Sequence, residues 1–552
     1  LVANFLGEEP KVIKKKVCGI MSHDSRFGTK LALKLMLVAT LFMTAQHAGG
    51  AESGIVRPFE ISSKYKAKNK IDVLMRASWR EKGIEPANLC SDEVFIRRVY
   101  LDVTGTLPEP QAVRQFLQDR RPSKRTVLIN ELLKREAFSD YWSLKWCDLL
   151  RVKAEFPINL WPNAVQAYHR WIHDAIAQNK PYDQFVRELL TSSGSNFRVP
   201  QVNFYRAIQG QEPSAIAKAV ALTFMGVRIE KWPEARRLGM EAFFSRVAYK
   251  STAEWKEEIV YLDPSAADTL RAVFPDGTKV EIPPGKDPRE VFADWFITPE
   301  NPWFARNIAN RIWSWLLGRG IIHEPDDIRP DNPAVHPEVL DFLTKELVDA
   351  DYDLQHIYRL ILNSYTYQQS SIPRSHHPEA EALFACYPVR RLEAEVLIDA
   401  LCWFSGTRES YSSPIPEPFT FIPEEHRSIN LADGSITSQF LEMFGRPTRD
   451  TGLESERNNE PSDAQRLHLL NSTHVQNKIE RSQRLNGLLK TAKGNRPILI
   501  NQIYLNVLSR FPTEEERDAA QRYLQTKGMN LRQGANDLVW ALFNTKEFLY
   551  RH

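Results

Sequence analysis

Between Asn310 and His336 the chain gathers the side chains whose types and spacing point most directly to chemistry. Asn307, Asn310, Arg311 and Ser314 recur at i, i+3, i+4 and i+7, so they share one polar face of a helix. Behind that helix a stiff segment with Pro325, Pro330 and Pro333 carries His323, Glu324, Asp326 and Asp327, and His336 follows. Aspartates are hard oxygen ligands for calcium or magnesium, and histidine adds affinity for a transition metal. Asp326, Asp327 and His336 are therefore the candidate metal ligands; no cofactor is predicted, and a divalent ion is the one this pattern would admit. The same acids could equally cap a helix or pair with an arginine. No ligand spacing here is diagnostic, so the pattern favours an internal brace, with Arg311 held by the two aspartates, and Asp327→Asn is expected to lower stability markedly.

Two further clusters carry charge in quantity. Arg390, Arg391, Glu393, Glu395 and Asp399 read as one helix, with Arg391, Glu395 and Asp399 on a common stripe and Glu393 turned away from it. A carboxylate pair there could do acid/base work. Arginine-rich stripes more often form a buried ion network that clamps helices together, and that is the reading adopted. Arg446, Arg449, Asp450, Glu454, Glu456 and Arg457 lie in a stretch bearing glycine and proline. They either grip a sulfate, phosphate or uronic acid or fold as a charged loop over the helices. Asp102, Thr104 and Gly105, after Arg97 and Arg98, read as structural. No G-x-S-x-G, H-E-x-x-H, P-loop or dinucleotide fingerprint is present, so the common hydrolase and nucleotide readings lose support.

The elements that must position these groups are helical. The chain has 552 residues, too many for one ordinary core, and 43% hydrophobic with 26% charged residues is typical of a globular protein. Lys+Arg number 72 against 69 Asp+Glu, a balance that gives nucleic acid no bulk electrostatic footprint. The basic flank after Met21, the short apolar run LMLVATLFM and the small residues AGGA read as a signal peptide cut near Ala51, hence export to the periplasm or beyond. That run is too short to span a bilayer, so the mature chain is expected to hold no transmembrane span. Cys90, Cys147, Cys386 and Cys402 form no C-x-x-C pair, which excludes a cysteine zinc site and a C-x-x-C-H haem site; whether two of them form a disulfide stays open.

Helical periodicity and start signals run through most of residues 63–250, ending in an expected helix over 238–249. EEIVYLD then alternates like a strand, and AVFPDGTKVEIPP reads as a hairpin about Pro275, Asp276 and Gly277. Helices resume after Asp287, among them 302–317, 336–349, 388–405 and 474–489. The expected architecture is mainly α, with two helical domains joined by a small β-hairpin insert. Residues 1–51 form an upstream extension and signal peptide, 52–251 an N-terminal helical domain, 252–286 the insert and 287–552 a C-terminal helical domain.

Several phrases taken together, among them FIRRVYLDVTGTLPEPQAVRQFL, FMGVRI, NPWFARNIANRIWSWLLGRGII, RRLEAEVLIDAL and FGRPTRD, resemble one family. These are secreted, planctomycete-type proteins that pair two domains of unknown function, numbered 1549 and 1553, the first described as cytochrome-associated. The resemblance runs from about residue 68 to the end of the chain. It implies export, a largely helical fold and frequent linkage to c-type haem modules, but no known reaction. Many relatives carry a cysteine-histidine haem-type motif soon after the GVRI phrase and a cysteine-rich spot after FGRP. Here Ile229 runs straight into Glu230, Lys231 and Trp232, and Arg449 to Arg457 holds no cysteine, so neither place can attach haem through a thiolate.

The expected function is that of an exported helical binding or scaffold protein of unknown ligand, with a protein or glycan partner in the cell envelope. The rival is a secreted hydrolase or lyase acting on an acidic or sulfated polysaccharide. The residues put forward for the site are Asn310, Arg311, His323, Asp326, Asp327, His336, Arg391, Glu395, Arg446, Arg449 and Arg457.

Overall fold

The helix Phe304–Leu317 is buried on nearly every side; among its residues only Arg306 and Ser314 keep appreciable exposure. The computed structural model that shows this describes residues 55–61, 65–265 and 268–552. The expected signal peptide lies outside the described residues. Asn301 starts this central helix as anticipated, its Oδ1 accepting from Trp303 N at 3.1 Å and Phe304 N at 3.2 Å. The helix proper begins two residues after Pro302, because the cap bonds first close a turn at Trp303. Gly318 ends it in the left-handed conformation, φ 74°, which costs glycine no Cβ clash.

The apolar face of this helix ties the two halves of the chain together. Trp315 packs on Trp142 and Trp146, with ring centroids 5.4 and 6.0 Å away, and Phe304 stacks on Tyr182 at 5.0 Å. The buried hydrophobic residues of both halves join one continuous cluster, so the helices before and after the β region share a core. Trp313 is fully buried and meets Phe384 edge-on at 5.3 Å. Trp313→Ala is expected to lower the unfolding free energy by about 3–5 kcal/mol, the range for truncating a large buried aromatic. A denaturant midpoint equal to the parent's would refute that placement.

The structure is mainly α, with short antiparallel strands. Val247–Ser251 pairs with Glu258–Leu262, which in turn pairs with Gly194–Ser195, and Leu270–Val273 forms a hairpin with Lys279–Ile282. The hairpin turn falls where Pro275, Asp276 and Gly277 place it. Three expected helices differ. The helix over 238–249 is instead a helix Glu234–Glu241, a tight turn Ala242–Phe244 and the strand Val247–Ser251. Phe243 and Phe244 are drawn down onto Phe292, at 5.4 and 5.5 Å, and this ends the helical path. The segment 474–489 is two helices, Thr473–Glu480 and Gln483–Ala492, separated at Ser482, whose hydroxyl accepts from Leu485 N and donates to Phe404 O. The helix over 388–405 starts only at Ala394. Before it, Arg390–Arg391 is a strand paired with Tyr550–Arg551, and Leu392 N donating to Leu549 O keeps the chain extended as far as Glu393. No helix among the described residues is long and apolar enough to cross a membrane.

Candidate functional site

Asn307, Asn310 and Arg311 of the polar stripe hold backbone, while Ser314 lines a cleft. Asn307 Nδ2 donates to Thr223 O at 3.3 Å. Asn310 grips Ile322 at both ends, Nδ2 donating to its carbonyl at 2.9 Å and Oδ1 accepting from its amide at 2.8 Å. The chain returns this closely because residue 320 is glycine; a Cβ there would lie 2.2 Å from Ile322 O. Arg311, 1% exposed, donates through Nη2 to Leu222 O at 3.0 Å and to Asp326 Oδ1 at 2.6 Å. Asp326 Oδ2 accepts from Glu454 N at 2.6 Å, so one carboxylate fastens both the helix and the 446–460 loop. The brace exists, and its acid is Asp326. Asp327 turns the other way, to Arg329 at 3.1 Å on the surface.

Three of the loop arginines close onto two acids from different helices. Asp148, near the end of helix Glu136–Leu149, accepts from Arg449 Nε at 2.9 Å and Arg457 Nη2 at 2.6 Å. Glu395, fully buried in helix Ala394–Ser405, takes Arg457 Nη1 at 2.7 Å and lies 3.6 Å from Arg446 Nε. Burial opposes the charge on Asp148, but the two guanidiniums hold its carboxyl below the usual range. Arg446 also donates to the carbonyls of Ile436 and Asp433, and Arg449 to those of Val152 and Ala432. Arg391 lies on the strand rather than on a helical stripe with Glu395, and it is bonded to Gln465 and to the carbonyls of Phe444 and Asn458. Asp399 faces elsewhere, accepting from Ser428 N and Ile429 N, and burial pushes its carboxyl up to about 6.

A third chain of charge was not put forward as a site. Lys145 donates to Glu393 Oε1 at 2.7 Å, Glu393 Oε2 takes Arg551 at 2.7 Å, and Arg551 and Arg390 both reach Asp102, at 3.1 and 2.9 Å. Lys145 gives little sign of this in the run YWSLKWCDLL beyond being a lone cation among buried aromatics. Glu393 sits just ahead of its helix, so helical geometry could not show where it points.

Beside these networks opens a cleft of about 530 Å³, walled by Lys145, Trp315, Glu393, Glu454, Arg457 and Tyr550 among others. Glu454, 28% exposed, accepts from Trp315 Nε1 at 3.0 Å. Burial, reinforced by Asp326, pushes its carboxyl up against the pull of Lys145 and Arg311. Burial also pushes the Lys145 ammonium down, although Glu393 favours its charge. Burial alone would raise Glu393, but Arg551 and Lys145 hold it well below the usual carboxylate range. Two carboxyls with opposite shifts thus line one cleft. His323 and Glu324 are exposed on its rim, where Glu324 pairs with Arg228 at 3.2 Å.

His336 stands apart from Asp326 and Asp327. It is buried against Phe384 with its Nε2 at Leu383 O, 3.2 Å away, and burial pushes the imidazole down. Among the described residues no three His, Cys, Asp or Glu side chains gather as a metal ion would need. Cys90, Cys147, Cys386 and Cys402 are all free thiols. Burial pushes the Cys147 thiol up to about 12, and those of Cys386 and Cys402 to about 11. Such thiols are poor nucleophiles and poor ligands.

No curated protein and no solved structure matches the chain. Two family models do: one described as Protein of unknown function (DUF1549) over residues 70–232, the other as Protein of unknown function (DUF1553) over residues 288–524. The first match carries Lys145 and Asp148. The second carries the central helix, Glu393, Glu395 and the 446–460 loop, so the ion network joins the two matched regions. The chain belongs to the proteins that pair a DUF1549 region with a DUF1553 region.

Proposed function

We propose that this is an exported binding protein whose 530 Å³ cleft takes a hydroxyl-rich ligand, a glycan segment of the cell envelope. The observation that carries the reading is the division of labour among polar groups. The buried arginines and acids are engaged with one another and with backbone, and they stiffen the walls. Lining the same cleft are Ser314, Arg319, His323, Glu381, Ser455 and Asn459, of which the Asn459 Oδ1 and Arg319 Nε are buried without a partner. A wall that offers both donors and acceptors suits hydroxyls, which are both. A rigid frame lowers the ordering cost of binding. Export rests on the basic and apolar pattern before Ala51, and no metal is required of Asp326, Asp327 or His336.

Calorimetric titration with a panel of neutral and uronic-acid oligosaccharides tests this. Binding is expected for at least one, and a double variant Arg319→Ala, Asn459→Ala should weaken it at least tenfold with an unchanged melting temperature. Absence of heat across the panel, with the protein folded, would defeat the reading.

One observation favours the rival reading, a glycan hydrolase or lyase. Glu454 is held toward its protonated form while Glu393, in the same cleft, is held ionised. A raised carboxyl suits a proton donor, and an ionised one beside it suits electrostatic stabilisation of developing positive charge. The same oligosaccharides, assayed for new reducing ends or unsaturated sugars, decide between the two. Turnover that is lost in Glu454→Gln puts the enzyme first; tight binding without turnover leaves the binding protein.

A further inference from the structure

On the other side of the 450–457 loop lies a separate cavity of about 400 Å³. Its floor is apolar, built from Ile208, Ala219, Leu222, Val227 and Leu453, and of the charged groups that line it only Arg151 has no ion-pair partner among the described residues. This side chain is 4% exposed. Its Nε donates to Thr451 O at 3.0 Å, while its Nη1 is buried with no hydrogen-bond partner, and no carboxylate of the described residues forms an ion pair with it. That sets it apart from the other buried arginines. Arg311, Arg449, Arg457 and Arg551 each hold an acid. Arg97, Arg98 and Arg391 lack one, but each is engaged by two or more backbone carbonyls. Arg151 has a single carbonyl.

The loop above lies directly against this guanidinium, and only a glycine at 452 allows so close an approach. Gly452, φ 72°, lies so close that a Cβ would be 2.8 Å from the guanidinium carbon and 2.7 Å from Leu149 O. Any other residue there would displace the arginine. The remaining charges at the cavity are matched: Lys218 with Glu230 at 2.6 Å, Arg228 with Glu324 at 3.2 Å, and Asp450 with Lys153 at 2.7 Å. A buried cation with no carboxylate in contact, offset only at longer range by Glu456 and Asp326, is costly, and an anionic ligand relieves that cost.

We propose that this cavity is a binding site for a small amphipathic monocarboxylate, its apolar body on the Leu222 and Leu453 floor and its carboxylate on Arg151. A dianionic phosphate ester fits less well, since only one cation is unmatched and Asp450 and Glu230 line the same cavity. The volume and the largely apolar lining are those of small-molecule sites.

Octanoate, octanol and octylamine are the probes, titrated into the full chain by calorimetry. Octanoate should bind at one site per chain, at least tenfold more tightly than octanol, and octylamine should not bind. Arg151→Gln should remove the preference for octanoate. Ala215→Phe, which adds bulk to the cavity lining and leaves the arginine unchanged, should abolish binding while leaving circular dichroism unchanged. If the three probes bind alike, or octanoate does not bind the folded parent, the site is not a carboxylate site. The comparison of probes on the parent protein decides this even if Arg151→Gln fails to fold. Octanoate binding that survives Ala215→Phe would place the ligand elsewhere and overturn the proposal.

Discussion

Asp326→Asn is expected to lower unfolding free energy by about 3–5 kcal/mol, and Asp327→Asn by less than about 1 kcal/mol. The two residues are neighbours in sequence and the substitution is the same, so only their surroundings differ. Asp326 and Arg311 are both 1% exposed and joined at 2.6 Å. Removing the carboxylate charge leaves the buried guanidinium against Leu222 O with only Glu454, 3.8 Å away, as counter-ion. It also sets an amide group against the Glu454 N–H, which the carboxylate now accepts. Asp327 is 20% exposed and Arg329 38%, so solvent screens that pair and takes its place when it breaks. Denaturant titration of both variants checks this. Equal midpoints for the two would mean that the buried brace contributes nothing.

Arg457→Met should cost a similar amount, about 3–5 kcal/mol at neutral pH, because it leaves Glu395 with only Arg446, 3.6 Å away, and removes one of the two cations on Asp148. The pH dependence has a definite sign. Asp148 titrates below its ordinary range in the folded protein, so its paired form contributes stability above the unfolded pKa and loses it as pH falls through the lower, folded value. The gap between parent and variant should therefore narrow on acidification below about pH 4, where carboxylates protonate in the unfolded chain. A gap that stays constant down to acid pH would show that the loss comes from packing of the arginine stem instead. The frame of the proposed cleft rests on this residue, so Arg457→Met should lose binding and stability together, whereas Arg319→Ala, Asn459→Ala should lose binding alone.

Local signals were sufficient wherever the physics was local. Ser91 before the helix Asp92–Thr104 and Gly105 after it could be read from the chain, since Ser91 Oγ accepts from Val94 N three residues on and Gly105 takes φ 60°. The same holds for Asn301, Gly318 and the turn at Asp276. The mainly α character followed from periodicity, and the paired regions from the order of their motifs. The polar stripe of Asn307, Asn310 and Arg311 was also legible, because helical spacing alone puts those residues on one face.

What periodicity could not supply was the partner on the far side of each contact. Arg390 and Arg391 carry a helical pattern, yet the strand at Tyr550–Arg551, some 160 residues later, claims their backbone. Asp102 stands four residues after Arg98 but pairs with Arg390 and Arg551 instead. Asp326 and Asp327 are identical as letters, and only the turn that presses one of them onto Arg311 separates brace from surface. Lys145 and Glu393 gave no spacing to read, being 248 residues apart. By itself the sequence determined the mainly α character, several helix caps and the family to which the chain belongs, all of which depend on neighbours within a few residues or on motif order. The tertiary structure alone decided which charges neutralise one another, and hence that Arg151 is left facing an apolar cavity. Desolvation and long-range pairing set that outcome, and neither is encoded within any single stretch of the chain.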